Sequence, residues 1–298
     1  LWDKEGHKYL DALAGIAVNS VGHAHPRLVR AIADQASKLI HCSNYFNIDL
    51  QEKVAEKLVE HSGLEAVFFC NSGLEANECA IKIARKFGHT KGIEVPNIIV
   101  LKHAFHGRSI ATLSATGNPS VREDFSPYTE GFIFVDESDL NGIRKIVEEN
   151  KNVVAIFFEP ILGEGGVVPI DLSVIKGIRE ICDEHDLLMM CDEVQCGMGR
   201  SGKWFAHQWA EIKPDVITMA KGLAGGVPVG AVIVSEKANI FKPGNHGSTF
   251  GGNPLAMRAA LETLSIIEDE KLVENALEVG KKLKKALSKS CLLYTSPS

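Results

Sequence analysis

At 298 residues, with 45% apolar and 23% charged side chains, the chain can bury a large core and has the composition of a globular protein. Its formal charge of -6 leaves no basic footprint for nucleic acid, and no apolar run approaches membrane-spanning length. The seven cysteines are odd in number, include no CxxC pair, and read as reduced thiols of a cytoplasmic protein.

In chain order, residues 2–11 predict two short strands around a Glu5-Gly6 turn. Leu28, Val29, Ile32, Ala36, Leu39 and Ile40 recur at helical spacing behind Pro26, a residue suited to a first helical position. Residues 44–47 form an aromatic-bearing turn, and Asp49 with Glu52 has the pattern of a capping box. From residue 66 the period changes. Continuous apolar runs at 66–70, 97–101, 132–135, 153–158, 187–191, 216–219 and 229–234 read as buried strands, with helical patterns between several of them at 73–87, 139–149 and 173–185. Such alternation predicts an α/β layer with a mostly parallel sheet. After Pro254 the pattern is helical to about residue 288. The start at Leu1 falls in mid-pattern, and residues 291–298 fit no preceding period. Together they read as a fragment with a foreign or frayed tail.

In open α/β sheets, ligands sit beyond the carboxyl ends of the strands, so the residues after each strand are the candidates. Ser72, Gly73 and Leu74 open a helix, where free N–H groups suit a phosphate; Ser72 also suits a simple N-cap. Phe105 beside Gly107 suits stacking on a flat ring, and Arg108 suits a carboxylate. His103 and His106 lack a third ligand at matching spacing, so a metal site is not expected. Glu159 and Glu164 flank a glycine turn and either face a cationic substrate or, for Glu159, cap a loop. Asp192 ends an apolar strand, where an acid is costly unless paired; a protonated ring nitrogen is one partner that justifies it. Lys221 ends the run from Asp215 and is followed by Gly222, Gly225 and Gly226. A lysine with a lowered pKa in such a place forms Schiff bases with carbonyls. The hydroxyls of Ser248 and Thr249 suit a phosphate as well. Gly197-Met198-Gly199-Arg200-Ser201-Gly202 matches GxGxxG, but no clear helix opens from it, so dinucleotide binding is not expected.

Gly15-Ile16-Ala17-Val18-Asn19, Gly22-His23-Ala24-His25-Pro26, Ser43-Asn44, Phe105-His106-Gly107-Arg108, the segment from Ala220 to Gly226 and the segment from Gly247 to Pro254 together resemble the class III pyridoxal-phosphate aminotransferases. Within the class they are most similar to the branch acting on N-acetylornithine, and the resemblance extends from Leu1 to about Leu287. It implies fold type I, with an N-terminal segment at 1–45 belonging to a small domain, a large domain at 46–253, and linking helices with the start of a C-terminal domain at 254–298. It implies pyridoxal 5'-phosphate as cofactor, 2-oxoglutarate as amino acceptor, a role in arginine biosynthesis and a homodimer. Lys221 is then the Schiff-base lysine, and Asp192 pairs the ring nitrogen. Phe105 and Val194 sandwich the ring, and Gln195 meets its hydroxyl. Gly73, Leu74 and Thr249 hold the phosphate, Thr249 from the other subunit. Arg108 and Ser248 contact the acylated substrate, and Glu159 and Glu164 shape its pocket. Leu74 stands where the family has a small or hydroxyl residue, and Leu162 where it has glutamine. The family's carboxylate-clamping arginine belongs to a C-terminal domain that nothing after Leu287 resembles.

Overall fold

The computed structural model describes residues 1–289. Cys291 and the unpatterned stretch 291–298 lie outside the described residues.

Seven strands form the main sheet: β1 (Ala66–Cys70), β2 (Asn97–Leu101), β3 (Phe132–Val135), β4 (Val153–Phe158), β5 (Leu188–Asp192), β6 (Val216–Met219) and β7 (Gly230–Val234). Their order is β1-β7-β6-β5-β4-β2-β3. Neighbours from β6 through to β3 pair in parallel, whereas β7 runs against both β1 and β6. Every residue of β4 and β5 is buried, which is why these strands are unbroken apolar runs instead of alternating ones.

Helices cover both faces. Helix α3 (Gly73–Thr90) lies on one face, where its small residues Ala76, Cys79, Ala80 and Ala84 let it close on Val100, Phe157 and Met190. The opposite face carries α2 (Asp49–Ser62), α4 (Leu140–Glu149), α5 (Leu172–Glu184) and α6 (Pro254–Asp269). The consecutive rings Phe157 and Phe158 point to opposite faces and are fully buried; each ring's burial contributes about 2–3 kcal/mol. Helix α1 (Pro26–Lys38) packs on α6, and α7 (Leu272–Leu287) follows it.

Some local expectations give way. Residues 2–11 make a single bridge, Trp2 with Lys8, instead of two strands, because Trp2 and Tyr9 are exposed and find no layer to pack on. Helix α1 starts at Pro26 as expected but ends at Lys38. Leu39 turns to an extended φ of -162°, so Leu39 and Ile40 leave the helix and stay exposed. Asp49 is the first residue of α2 rather than its cap: Ile48 holds the cap position, and the Asp49 carboxylate pairs with Lys53 at 2.9 Å. The GxGxxG stretch opens no helix. Gly199 and Gly202 take positive φ in a turn packed against Val273 and Leu277 of α7.

Candidate active site

A cavity of about 410 Å³ opens at the carboxyl ends of the parallel strands. It collects Ser72, Gly73 and Leu74 from the start of α3, Phe105 and Arg108 from the loop after β2, and Glu159 and Glu164 from beyond β4. Asp192, Val194 and Gln195 come from the end of β5, and Lys221 from the end of β6. Residues far apart in sequence converge because each follows its own strand to the same edge of the sheet.

The first turn of α3 is held open by capping bonds. The Ser72 hydroxyl accepts the Glu75 N–H at 3.2 Å, and a Glu75 carboxylate oxygen accepts the Asn71 N–H at 2.7 Å. The N–H groups of Gly73 and Leu74 lie in the turn where a helix offers no acceptor of its own. Glycine is required at 73, since a Cβ there would come within 2.6 Å of a Val194 methyl. That contact sets Val194 against the helix start and keeps the backbone accessible.

Asp192 is 3% exposed and is approached by three donors. Its Oδ2 accepts from Asn77 Nδ2 at 2.7 Å and bonds His106 Nδ1 at 2.8 Å, while Oδ1 accepts from Val194 N–H at 3.0 Å. The parallel register sets Asp192 beside Thr218, on the face that α3 covers, so the carboxylate meets Asn77 on that helix. His106 is itself buried and stacks on Phe157, ring centroids 4.1 Å apart. Sequence reasoning missed Asn77 and His106 as parts of this assembly. The available signals were a polar residue among the small buried residues of α3 and a histidine without metal partners. His103 stands apart at the surface, paired with Glu137 at 2.8 Å.

Lys221 enters from the far side of the cavity. Its φ of +34° is a conformation L-residues avoid, and such an outlier is held at a cost of about 1–3 kcal/mol by its surroundings. After one 3-10 turn, Gly225 and Gly226 follow with φ of +58° and +113°, so the chain turns away while Lys221 lines the cavity. Burial holds the Lys221 ammonium below its ordinary pKa, although the Asp192, Glu159 and Glu164 carboxylates oppose this.

The two glutamates differ. Glu159 is 5% exposed, and both its oxygens are taken by backbone: Oε2 accepts the Phe105 N–H at 2.8 Å and Oε1 the Gly163 N–H at 3.1 Å. Of the two sequence readings, this geometry is that of a loop cap. Burial first, and the Asp192 charge second, push Glu159 up to about 7. Because the folded pKa lies above 4.5, the folded state keeps a proton that the unfolded chain releases. The stability tied to this group is therefore full below pH 4.5 and is lost as pH rises through 7. Glu164 is exposed. It lines both the cavity and an outer recess of about 380 Å³, which also shares Phe105 and Arg108. Arg108 lies over the Phe105 ring, 5.6 Å from its centroid, and among the described residues it makes no ion pair.

Ser248 and Thr249 are not part of this cavity. Ser248 lies in a neighbouring recess, where its Oγ accepts from Asn71 Nδ2 at 3.2 Å and its carbonyl from Asn44 Nδ2 at 3.0 Å. Thr249 is exposed.

Residues 1–295 match the family described as Aminotransferase class-III. The chain belongs to the class III aminotransferases. Among curated relatives of this class III chain, it is 55% identical to an acetylornithine aminotransferase of Nitrosomonas europaea, over 94% of this chain and 72% of that protein. It is 49% identical to an acetylornithine aminotransferase of Synechocystis sp., over 97% of this chain and 68% of that protein. Among solved structures, an ornithine aminotransferase from Toxoplasma gondii with PLP partially occupying its active site superposes with a TM-score of 0.92. Its identity is 36%, covering 96% of this chain and 69% of that one. An acetylornithine aminotransferase from Elizabethkingia anophelis gives a TM-score of 0.86 at 37% identity, covering 97% and 72%. The expected fold type I, α/β with a mostly parallel central sheet flanked by helices, is therefore the architecture of this class III aminotransferase.

Proposed function

We propose that this aminotransferase moves the terminal amino group of N-acetylornithine to 2-oxoglutarate, a step of arginine biosynthesis, with pyridoxal 5'-phosphate in the central cavity. The observation that carries the reading is the convergence of Lys221, Asp192 and the first turn of α3 on that one cavity. The donor set fits the cofactor: N–H groups for a phosphate, a buried carboxylate for a cationic ring nitrogen, and an amine of lowered pKa for a carbonyl. Bound there, pyridoxal phosphate supplies a carbonyl that condenses with amines and a ring that withdraws electrons from the amine-bearing carbon.

The residues divide the remaining work. Gly73 and Leu74 offer their N–H groups to the phosphate, and Ser72 fixes the turn that presents them. Phe105 and Val194 would flank the ring, and Gln195 would lie beside its hydroxyl. Asp192, kept in place by Asn77 and His106, holds a proton on the ring nitrogen. Lys221 Nζ takes the proton from the amine-bearing carbon of the substrate, and its lowered pKa keeps more of it in the neutral, basic form at neutral pH. Arg108 receives a substrate carboxylate, with Glu164 beside it at the rim.

The donor assignment is supported by the relatives at 47–55% identity that carry the acetylornithine name. Ornithine is the second reading, favoured by the TM-score of 0.92 to an ornithine aminotransferase. The deciding experiment compares kcat/KM for N-acetylornithine, ornithine and 4-aminobutyrate, with 2-oxoglutarate as acceptor. N-acetylornithine is expected to lead. Arg108→Lys should raise its KM about 10–100-fold, because lysine cannot reproduce a two-bond fork and a charged hydrogen bond is worth about 1.5–3 kcal/mol. A lead for ornithine, or an unchanged KM in the variant, would sink the acylornithine assignment.

Assembly is part of the proposal. Exposed Leu39, Ile40, Tyr45 and Phe46 adjoin the loop carrying Thr249, where the His41 and Phe250 rings meet at 5.3 Å. A second copy covering this apolar surface would receive Thr249 at its own phosphate site. Sedimentation velocity should show a dimer or a multiple of it; an active, cofactor-loaded monomer would remove the shared site. The five buried, unpaired thiols among the described residues suit a reducing compartment, and we place the protein in the cytoplasm.

A further inference from the structure

Glu159 is the one buried acid of the cavity that neither cofactor nor substrate employs in the scheme above. Among the described residues no lysine or arginine pairs with it. A charge in that place is expensive, and an apolar side chain would pack more cheaply. What a carboxylate offers here is two acceptors. Both groups facing it are N–H donors, one from the loop after β2 and one from the turn after β4. A glutamine has one acceptor and one donor, so it satisfies only one of them. The Gly163 turn in turn abuts the Gln195 amide so closely that a Cβ at 163 would overlap it.

We infer that Glu159 is a positioning residue that fastens the Phe105 loop to the Gly163 turn, and thereby fixes the Phe105 ring and the Arg108 guanidinium lying over it. The inference rests on reading this cavity as the substrate site. It places the determinant of donor binding behind the cavity wall: Arg108 is exposed, makes no ion pair among the described residues and lies over the ring of Phe105, whose backbone Glu159 holds.

The test uses the full chain, with and without cofactor. In the cofactor-free parent, hydrogen exchange should find the Phe105 and Gly163 amides protected. Glu159→Gln should expose one of the two, and should raise the donor KM about tenfold or more while kcat changes by less than about threefold. Its melting temperature at pH 8 should equal or exceed the parent's, since a buried charge has been removed. Glu159→Asp keeps the charge but shortens the reach, and should raise KM in the same sense. Combining Glu159→Gln with Arg108→Lys should cost less than the product of the separate KM effects. The inference is overturned if both amides exchange freely in the parent, or if Gln and Asp leave KM within twofold. It is equally overturned if KM worsens only in step with a falling melting temperature. Amide protection is read without any substrate, so a parent that prefers another donor defeats the substrate assignment while leaving this test standing.

Discussion

A Lys221→Ala variant is expected to lose transamination by about ten-thousandfold or more. Two functions leave together: the amine that bonds the cofactor carbonyl, and the base that moves the proton at the substrate carbon. The fold should survive. Lys221 lies past the end of β6 and is only partly buried, so replacing it removes little core volume, and the positive φ is no worse for alanine than for lysine. The cofactor should still enter, because the first turn of α3 and Asp192 are untouched. The measurement is twofold: turnover with N-acetylornithine, and the mass of the chain after borohydride treatment. The parent should retain a cofactor-derived mass on the peptide containing Lys221, and the variant should retain none. Turnover near that of the parent in Lys221→Ala would end the assignment of this residue and the mechanism with it.

Asp192→Asn should slow the first half-reaction about a hundred- to a thousandfold while leaving donor binding nearly intact. Shape is kept and charge is lost, so the proton on the ring nitrogen is no longer held. A second effect adds to the first. Asp192 is met by donors from Asn77, His106 and Val194, and an asparagine must point its own NH₂ at one of them. Stopped-flow absorbance of the half-reaction separates the rate from the affinity. A rate within about threefold of the parent would show that the buried carboxylate has another purpose.

Much of this site was legible in the sequence because its parts are local. A strand ends, a glycine or small residue follows, and a side chain that lines the cavity sits within the next few positions, as at Ser72–Gly73, Phe105–Arg108, Asp192–Gln195 and Lys221. The strands themselves were legible because burial on both faces makes their runs continuous. The supports were not legible. Asn77 reaches Asp192 across 115 residues and His106 across 86, and only the sheet register brings them together. Glu159 shows the limit in another way. Its sequence context admits a substrate-facing acid and a loop cap equally, and the two are told apart only by which N–H groups fold against it. At 39–46 the expected turn forms, but Leu39 and Ile40 leave the expected helix, and Leu39, Ile40, Tyr45 and Phe46 stay outside every core cluster of the single chain.

The reversed strand β7 governs the order in which a nascent chain can be finished. β1 emerges early, yet its partner in the sheet is β7, made over half the chain later. Until Gly230–Val234 leave the ribosome, the apolar segment Ala66–Cys70 has no ladder to join, while β2, β3, β4 and β5 already have one another. Closing so long a loop comes late and slowly, and in the interval the unpaired segment is a target for chaperones or for aggregation. The Ser72–Leu74 turn hangs on that segment. A growing polypeptide therefore fixes this turn only once residues 230–234 have been made, after the strand that leads to Lys221.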